Sequence, residues 1–262
     1  MIGCIIQARM GSSRLPGKVM EKLDQNNTVL SYVIKQLKHS KFLNNIVVAT
    51  TSLKQDKVIV DFLEKEGIKY FCGDEEDVLD RYYQCAKKFS FSTIVRIPAD
   101  KPLIDPTIVD QCIEIFGNKK YDYVTTFLEL TFPYGTEVEV FTFNVLEEIW
   151  KKAQLPSERE NVTPYIYNNK EKYHTYNLKN TTDMSHLRWV VDRKEDLELV
   201  KQLVSKIHKN PILMKDILEL LKEEPKLIQI NSHIKHDEGY QKSLKKDEEY
   251  IKMKKQSVAK ND

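Results

Sequence analysis

Short β-branched runs alternate with amphipathic stretches through the first half of the chain. The apolar, strand-like runs fall at residues 3–7, 46–50, 69–72, 93–97 and 123–126, and helical patterns span 29–39, 56–66, 77–89 and 106–116 between them. In the second helix Val58, Ile59, Phe62 and Leu63 recur at i, i+1, i+4 and i+5, the spacing of one buried stripe. Strands and helices alternating at this interval predict βαβ units, hence an α/β fold with a doubly wound, mostly parallel sheet. Ligands of such sheets bind beyond the carboxyl ends of the strands.

The pattern changes beyond residue 126. Glu137, Val138, Glu139, Val140 and Phe141 alternate charged and apolar residues, as a half-exposed strand does. Residues 144–153 predict a helix, and another starts at Pro156, where Ser157 can cap with Glu160 three residues on. Further strands are expected at 172–178 and 187–191, and helices at 195–208 and 214–222. The expected organisation is one domain over 1–232, within which 127–180 forms an excursion that covers the site or pairs with a second subunit. Residues 233–262, rich in Lys, Glu and Asp, are expected to form a charged, mobile helix or tail.

Composition narrows the partners. A net charge of +2 over 262 residues gives no whole-protein field for nucleic acid or an anionic membrane, so any basic site must be local. Cys4, Cys72, Cys85 and Cys112 contain no C-x-x-C pair and are expected as reduced, buried thiols. The apolar run 2–6 is short and followed by basic residues, unlike a secretory leader, and no run approaches the roughly 20 residues of a membrane span. Cytoplasm is the expected compartment.

Three stretches carry candidate chemistry. The first, IIQARMGSSRLPGKVM, holds Arg9, Arg14 and Lys18 with no acid among them. Gly11 and Gly17 let the backbone turn and let N–H groups face an anion, and arginine offers forked donors to phosphate. It is not a Walker loop, because valine replaces the hydroxyl residue after Lys18, and its glycine spacing is not the dinucleotide fingerprint. A phosphate cradle and an ordinary basic loop both fit the pattern alone. The second stretch, IVRIPADKPLIDP, places Asp100 at a strand end, suited to Mg²⁺, whereas Asp105 before Pro106 is expected as a helix cap. The third, LRWVVDRKEDLELV, ends another strand at Asp192, which is either a second metal carboxylate or the N-cap of the following helix. His174, His186, His233 and His236 lack metal-ligand spacing.

These stretches resemble the signature of the cytidylyltransferase superfamily that includes 3-deoxy-manno-octulosonate cytidylyltransferase and CMP-N-acylneuraminate synthetase. SpsF-type spore-coat polysaccharide biosynthesis proteins are the nearest resemblance. GDEEDVLDRYYQCAKK, ADKPLIDP, YGTEVEVFTF, SERENVTPYIY and VVDRKEDLELV follow in the order of that group, so the similarity spans nearly the whole chain. The resemblance implies a Rossmann-like enzyme that moves CMP from CTP (or another NTP) to an acidic sugar or a phosphonate- or phosphate-type acceptor, for surface glycan assembly. By motif match, Arg9, Lys18 and Asp100 would be catalytic. Ala8, Gly11, Ser12, Ser13, Arg14, Thr50 and Pro98 would join them in binding the nucleotide, and Asp100 and Asp192 would hold Mg²⁺. Tyr134, Gly135, Glu137 and Arg159 would serve the acceptor, with Ser157 and Glu160 lining its pocket, while Glu139 is weighed against a purely structural strand role. The resemblance also implies a homodimer through 127–180. Two departures stand out: Pro98 replaces the glutamine that helps the octulosonate enzymes read cytosine, and Lys101 replaces the cysteine common in SpsF-like chains. A nucleotide-sugar glycosyltransferase, which usually carries D-x-D, and a non-catalytic nucleotide-binding subunit are the competing classes.

Overall fold

The structure is a computed structural model and describes residues 1–236 and 238–258. The β-branched runs of the first half form β1 (Ile2–Gln7), β2 (Ile46–Thr51), β3 (Lys69–Gly73), β4 (Thr93–Pro98) and β5 (Tyr123–Thr125). With β6 (Glu139–Thr142) and β7 (Thr175–Asn177) they make a seven-stranded sheet in the order β3-β2-β1-β4-β6-β5-β7. Every pairing is parallel except the two that β6 makes with β4 and β5.

Four helices fill the early crossovers: α1 (Val29–Leu37), α2 (Lys57–Lys65), α3 (Val78–Lys88) and α4 (Pro106–Gly117). Their starts follow local chemistry. Asp77 accepts from the Asp80 amide at 2.8 Å, and Asp105 accepts from the Thr107 amide at 2.7 Å with Pro106 in the first turn, the predicted cap. Alternation along the strands divides the core. Cys4, Ile6, Val95 and Ile97 pack under α1, α2 and α4, whereas Ile5 and Ile94 pack under α3 and α5 (Phe143–Lys152). A third cluster gathers α8 (Lys194–Lys206) and α9 (Met214–Glu223) around Leu15, Leu103 and the fully buried Trp189.

Several expectations are corrected. The alternating stretch at 137–141 is buried on both faces, because Arg96 of β4 neutralises Glu139 directly across the ladder. Residues 187–191 form no named strand; one bridge joins Arg188 to Tyr134. The ladder stops there because Gly135 turns with φ 115°, where its missing Cβ would lie 2.6 Å from the Val190 nitrogen. Helix α6 (Pro156–Asn161), followed by the short α7 (Pro164–Asn168), is capped by Glu158, which accepts from the Gln154 and Leu155 amides, and not by Ser157 with Glu160. Val58 is exposed and so leaves the α2 stripe, and of the four free cysteines Cys72 is exposed. Of the two forms expected for the charged C-terminal stretch, helix or tail, the described residues contain a helix, α10 (Glu238–Val258), lying along α6; Asp237 and residues 259–262 fall outside the described residues.

Candidate active site

Strand β1 sits between β2 and β4, so the connections that follow β1 and β4 leave in opposite directions. A crevice opens where strand order reverses in this way. The loop 8–18 leaves β1 at that point and Asp100 follows β4 beside it. A third segment is drawn in from the last third of the chain. The Tyr134 amide donates to the Leu187 carbonyl and its carbonyl accepts from the Trp189 amide, both at 2.8 Å, and the Val191 amide donates to the Asp100 carbonyl at 2.7 Å. That bond sets Asp192 next to Asp100.

Lys18 joins the two aspartates. Its Nζ lies 2.8 Å from Asp100 Oδ2 and 2.9 Å from Asp192 Oδ1, with the lysine only 8 % exposed. Arg14 adds a forked contact to Asp192, Nε at 2.5 Å and Nη2 at 2.9 Å. Burial alone would lift the Asp192 pKa, but the Lys18 charge and the hydrogen bonds from Arg14 and Lys18 outweigh it and hold the group at about 2. Burial likewise opposes the Lys18 ammonium, yet Asp100 and Asp192 keep its pKa above the ordinary lysine value. The cap reading of Asp192 is excluded: Arg193 is the N-cap of α8, and Asp196 accepts from the Asp192 and Arg193 amides at 3.1 and 2.9 Å.

The loop itself is shaped as a cradle. Asp56 of the β2–α2 connection accepts from the Met10 amide at 2.6 Å, and the Met10 carbonyl accepts from Ser12 and Gly17. Gly17 needs its left-handed φ of 74° to close this turn. Among the described residues, the amides of Gly11, Ser13 and Arg14 have no protein acceptor. Successive free N–H groups beside two cations form an anion-binding concavity.

Further along the cleft, cations are matched with carboxylates. Lys101 Nζ is 2.7 Å from Glu137 Oε2, and the Gly135 amide donates to both oxygens of Glu137 at 3.1 Å. Arg96 pairs with Glu139 and donates to Gln7 Oε1 at 3.1 Å, while Tyr123 and Thr163 hydroxyls donate to Glu139 at 2.6 and 2.5 Å. Arg159 Nε lies 3.0 Å from Asp77 Oδ2, and its Nη1 donates to the Trp150 carbonyl. Arg188 makes a forked pair with Asp196 at 2.7 and 2.8 Å while lying over the Tyr134 ring.

Most of these groups line one cleft of about 940 Å³, with Asp56, Tyr123 and Asp196 behind its wall. It brings together Ala8, Arg9, Gly11, Ser12, Ser13, Arg14, Lys18, Pro98, Asp100, Tyr134, Glu137, Arg159 and Asp192 of the sequence expectation. Thr50 is set apart, buried in β2 and off the cleft wall, and Gly135 lies behind Glu137. Glu160 reaches the wall but is engaged with Ser243 and Lys246 of α10. Sequence reasoning passed over Arg81 and Arg96, both in the wall. Each carried a signal. Arg81 lies among Val78, Tyr82 and Cys85 on the apolar stripe of α3, and Arg96 interrupts a buried strand. The lining residues of α10 had no such signal, since its contacts are polar.

Among the described residues no group of three or more His, Cys, Asp or Glu could enclose a metal. The pair Asp100–Asp192 nevertheless fits Mg²⁺, which takes one or two carboxylates and completes its shell with phosphate and water. Both carboxylates already reach a single cation, Lys18 Nζ.

A doubly wound sheet with a basic, amide-lined loop and paired acids at its switch point defines a nucleotide-binding α/β protein. The family description Cytidylyltransferase matches residues 3–251, and the chain belongs to that family. It is 33% identical over 229 residues to the spore coat polysaccharide biosynthesis protein SpsF of Bacillus subtilis, covering 84% of this chain and 94% of that one. A solved cytidylyltransferase from Leptospira borgpetersenii is 35% identical, with TM-score 0.85 over 90% of this chain and 99% of that chain. The fold also matches CMP:2-keto-3-deoxy-manno-octonic acid synthetase, solved with CTP, at TM-score 0.59 and 17% identity over 78% of this chain and 98% of that one.

Proposed function

We propose that this chain transfers the cytidylyl group of CTP to an acidic sugar or related small acid and releases pyrophosphate. The observation that carries the reading is the convergence of Arg14, Lys18, Asp100 and Asp192 at the switch point, beside free loop amides. An acceptor oxygen attacks the α-phosphorus in line, forming one P–O bond as the bond to the bridging oxygen of pyrophosphate breaks. The chain's part is to position both partners and to offset charge on the phosphates. Gly11, Ser13 and Arg14 amides, with Arg9, suit the triphosphate oxygens.

Asp100 and Asp192 would hold Mg²⁺. When bound, that ion would polarise a phosphoryl oxygen and neutralise charge on the leaving group. Lys18 and Arg14, now paired with these aspartates, are the cations that would serve the phosphates. Glu137 and Tyr134 suit the acceptor side, and the product suits surface glycan assembly. The same reading carries a homodimer through 127–180, checked by sedimentation, and a cytoplasmic site of action. Among the described residues no helix is long and apolar enough to cross a membrane.

Incubation with each NTP, Mg²⁺ and pyrophosphatase against a panel of sugar acids tests the reading. Acceptor-dependent phosphate release with CTP is expected. Tight CTP binding with no release from any acceptor would favour a non-catalytic subunit.

A further inference from the structure

An anionic acceptor needs cations that are not already neutralised. Around the cleft, Lys18 and Arg14 face Asp100 and Asp192, Lys101 faces Glu137, Arg159 faces Asp77, and Arg188 faces Asp196. Arg96 faces Glu139 and Lys246 faces Glu160. Arg9 and Arg81 lack a carboxylate but donate to the backbone carbonyls of Glu75 and Asp74, on the β3–α3 side. Among the described residues, Lys235 and Lys242 are the lining cations with no hydrogen-bond or ion-pair partner.

Both belong to the segment that α10 folds over the cleft. His236, next to Lys235, packs its ring 4.7 Å from that of Tyr134. Gly239 lies so close to Arg14 that a Cβ there would meet the guanidinium nitrogens at 3.2 Å. Lys242 stands three residues on, so it shares that face of the helix, about 5 Å further along the axis. The same face continues to Ser243 and Lys246, both bonded to Glu160 at 3.0 Å, and the Ser157 amide donates to Asp247 at 2.8 Å. Arg193 pairs with Glu238 at 2.5 Å beside Asp192. The helix is therefore tied down at both ends of its lining face, and Lys242 on that face and Lys235 just before the helix line the same cleft as Arg14 and Tyr134 with their ammonium groups uncommitted.

We propose that α10 completes the acceptor site: Lys242 and Lys235 bind an anionic group of the acceptor, carboxylate, phosphonate or phosphate, remote from the oxygen that attacks CTP. The inference rests on the cytidylyl-transfer reading for the name acceptor. Glu160, expected by resemblance to line the acceptor pocket, lines the cleft and also anchors the helix through Ser243 and Lys246.

Calorimetric titration of the full chain tests this with three probes: 3-deoxy-manno-octulosonate, mannose 6-phosphate and CTP, the last in a separate arm. Wild type, K235Q/K242Q and K242R are compared. At least one sugar anion is expected to bind wild type, to lose tenfold or more in affinity in the double variant, and to recover within about threefold in K242R. CTP affinity should stay within twofold throughout. The sugar anion that loses more assigns the group as carboxylate or phosphate. Unchanged sugar-anion affinity in the double variant, or no sugar-anion binding to wild type, overturns the proposal. Failure of wild type to bind CTP would remove the cytidylyl-transfer reading instead, and the sugar-anion arms would still decide whether these lysines form an anion site.

Discussion

Around the loop 8–18, Arg14 and Asp100 keep 30% and 24% of their side chains open to solvent, Arg14 pairing with Asp192 and Asp100 with Lys18. In the wall beside them, where Arg188 also lies 3.9 Å from Asp192, Arg188 and Asp196 are exposed by 4% and 0%, and Asn231 bonds both Asp196 and the Arg188 carbonyl. Both regions pair basic and acidic side chains at hydrogen-bond distance. They differ in what surrounds the pair. The loop pairs border free amides and open solvent, so each partner can turn to a ligand. The wall pairs are enclosed by other hydrogen bonds, and separating them would strand a charge in the core. Ion pairs at the loop store binding capacity, whereas those at the wall hold shape.

The largest expected effect breaks the loop side. Asp100→Asn or Asp192→Asn should lower kcat/KM for CTP-dependent pyrophosphate release by roughly 10³-fold, about 4 kcal/mol, while costing at most about 2 kcal/mol of stability. On the wall, Arg188→Met leaves Asp196 buried without its partner. Unfolding by urea should show about 3–5 kcal/mol of lost stability, as expected when one member of a buried pair is removed. A wall variant that keeps full stability, or a loop variant that unfolds, would erase the distinction.

Lys18→Met sharpens it. Metal-free CTP binding should weaken by roughly 10-fold with the loss of a phosphate cation. Binding of Mn²⁺ without nucleotide should tighten, because the ammonium between the aspartates is gone. Weaker binding of both would show that Lys18 holds the aspartates in place and does not compete for them.

Acid titration gives a smaller effect. The Asp192 pKa is depressed from 3.8 to about 2 on folding, so the folded state binds fewer protons between those values. The stabilisation is complete above the unfolded pKa and is lost as pH falls through about 2, amounting to roughly 2 kcal/mol. Asp192→Asn should flatten that part of the acid-unfolding profile. The smallest effect is expected from Glu160→Gln, whose bonds to α10 are partly exposed. A cost near 1 kcal/mol is expected, seen as faster amide exchange in α10 with little change in global unfolding.

The sheet was legible because its central strands β1, β2 and β4 are largely buried on both faces and therefore appear as β-branched runs, and the aspartates were legible because each follows such a run. The segment 187–191 shares that composition yet has only the turning backbone at Tyr134–Gly135 as a partner, so it pairs once and stops. Arg81 and Arg96 were missed because a charge on an apolar stripe is discounted when stripes are scored by hydrophobicity. Helix α10 was unreadable as part of the site for the opposite reason. It docks through Ser243, Lys246 and Asp247, and such contacts leave no periodic signal.

Gly239 resting on the Arg14 guanidinium joins the beginning of the chain to its far end. The cleft is a closure that skips over the whole sheet, and contacts so distant in sequence come late because the loop entropy must be met first. A chain interrupted before α10 would carry the phosphate loop and both aspartates yet lack the helix that covers them. The cleft is thus finished only once α10 has been made, and chains lacking it would be free to fold their sheet without presenting a finished cleft to nucleotide.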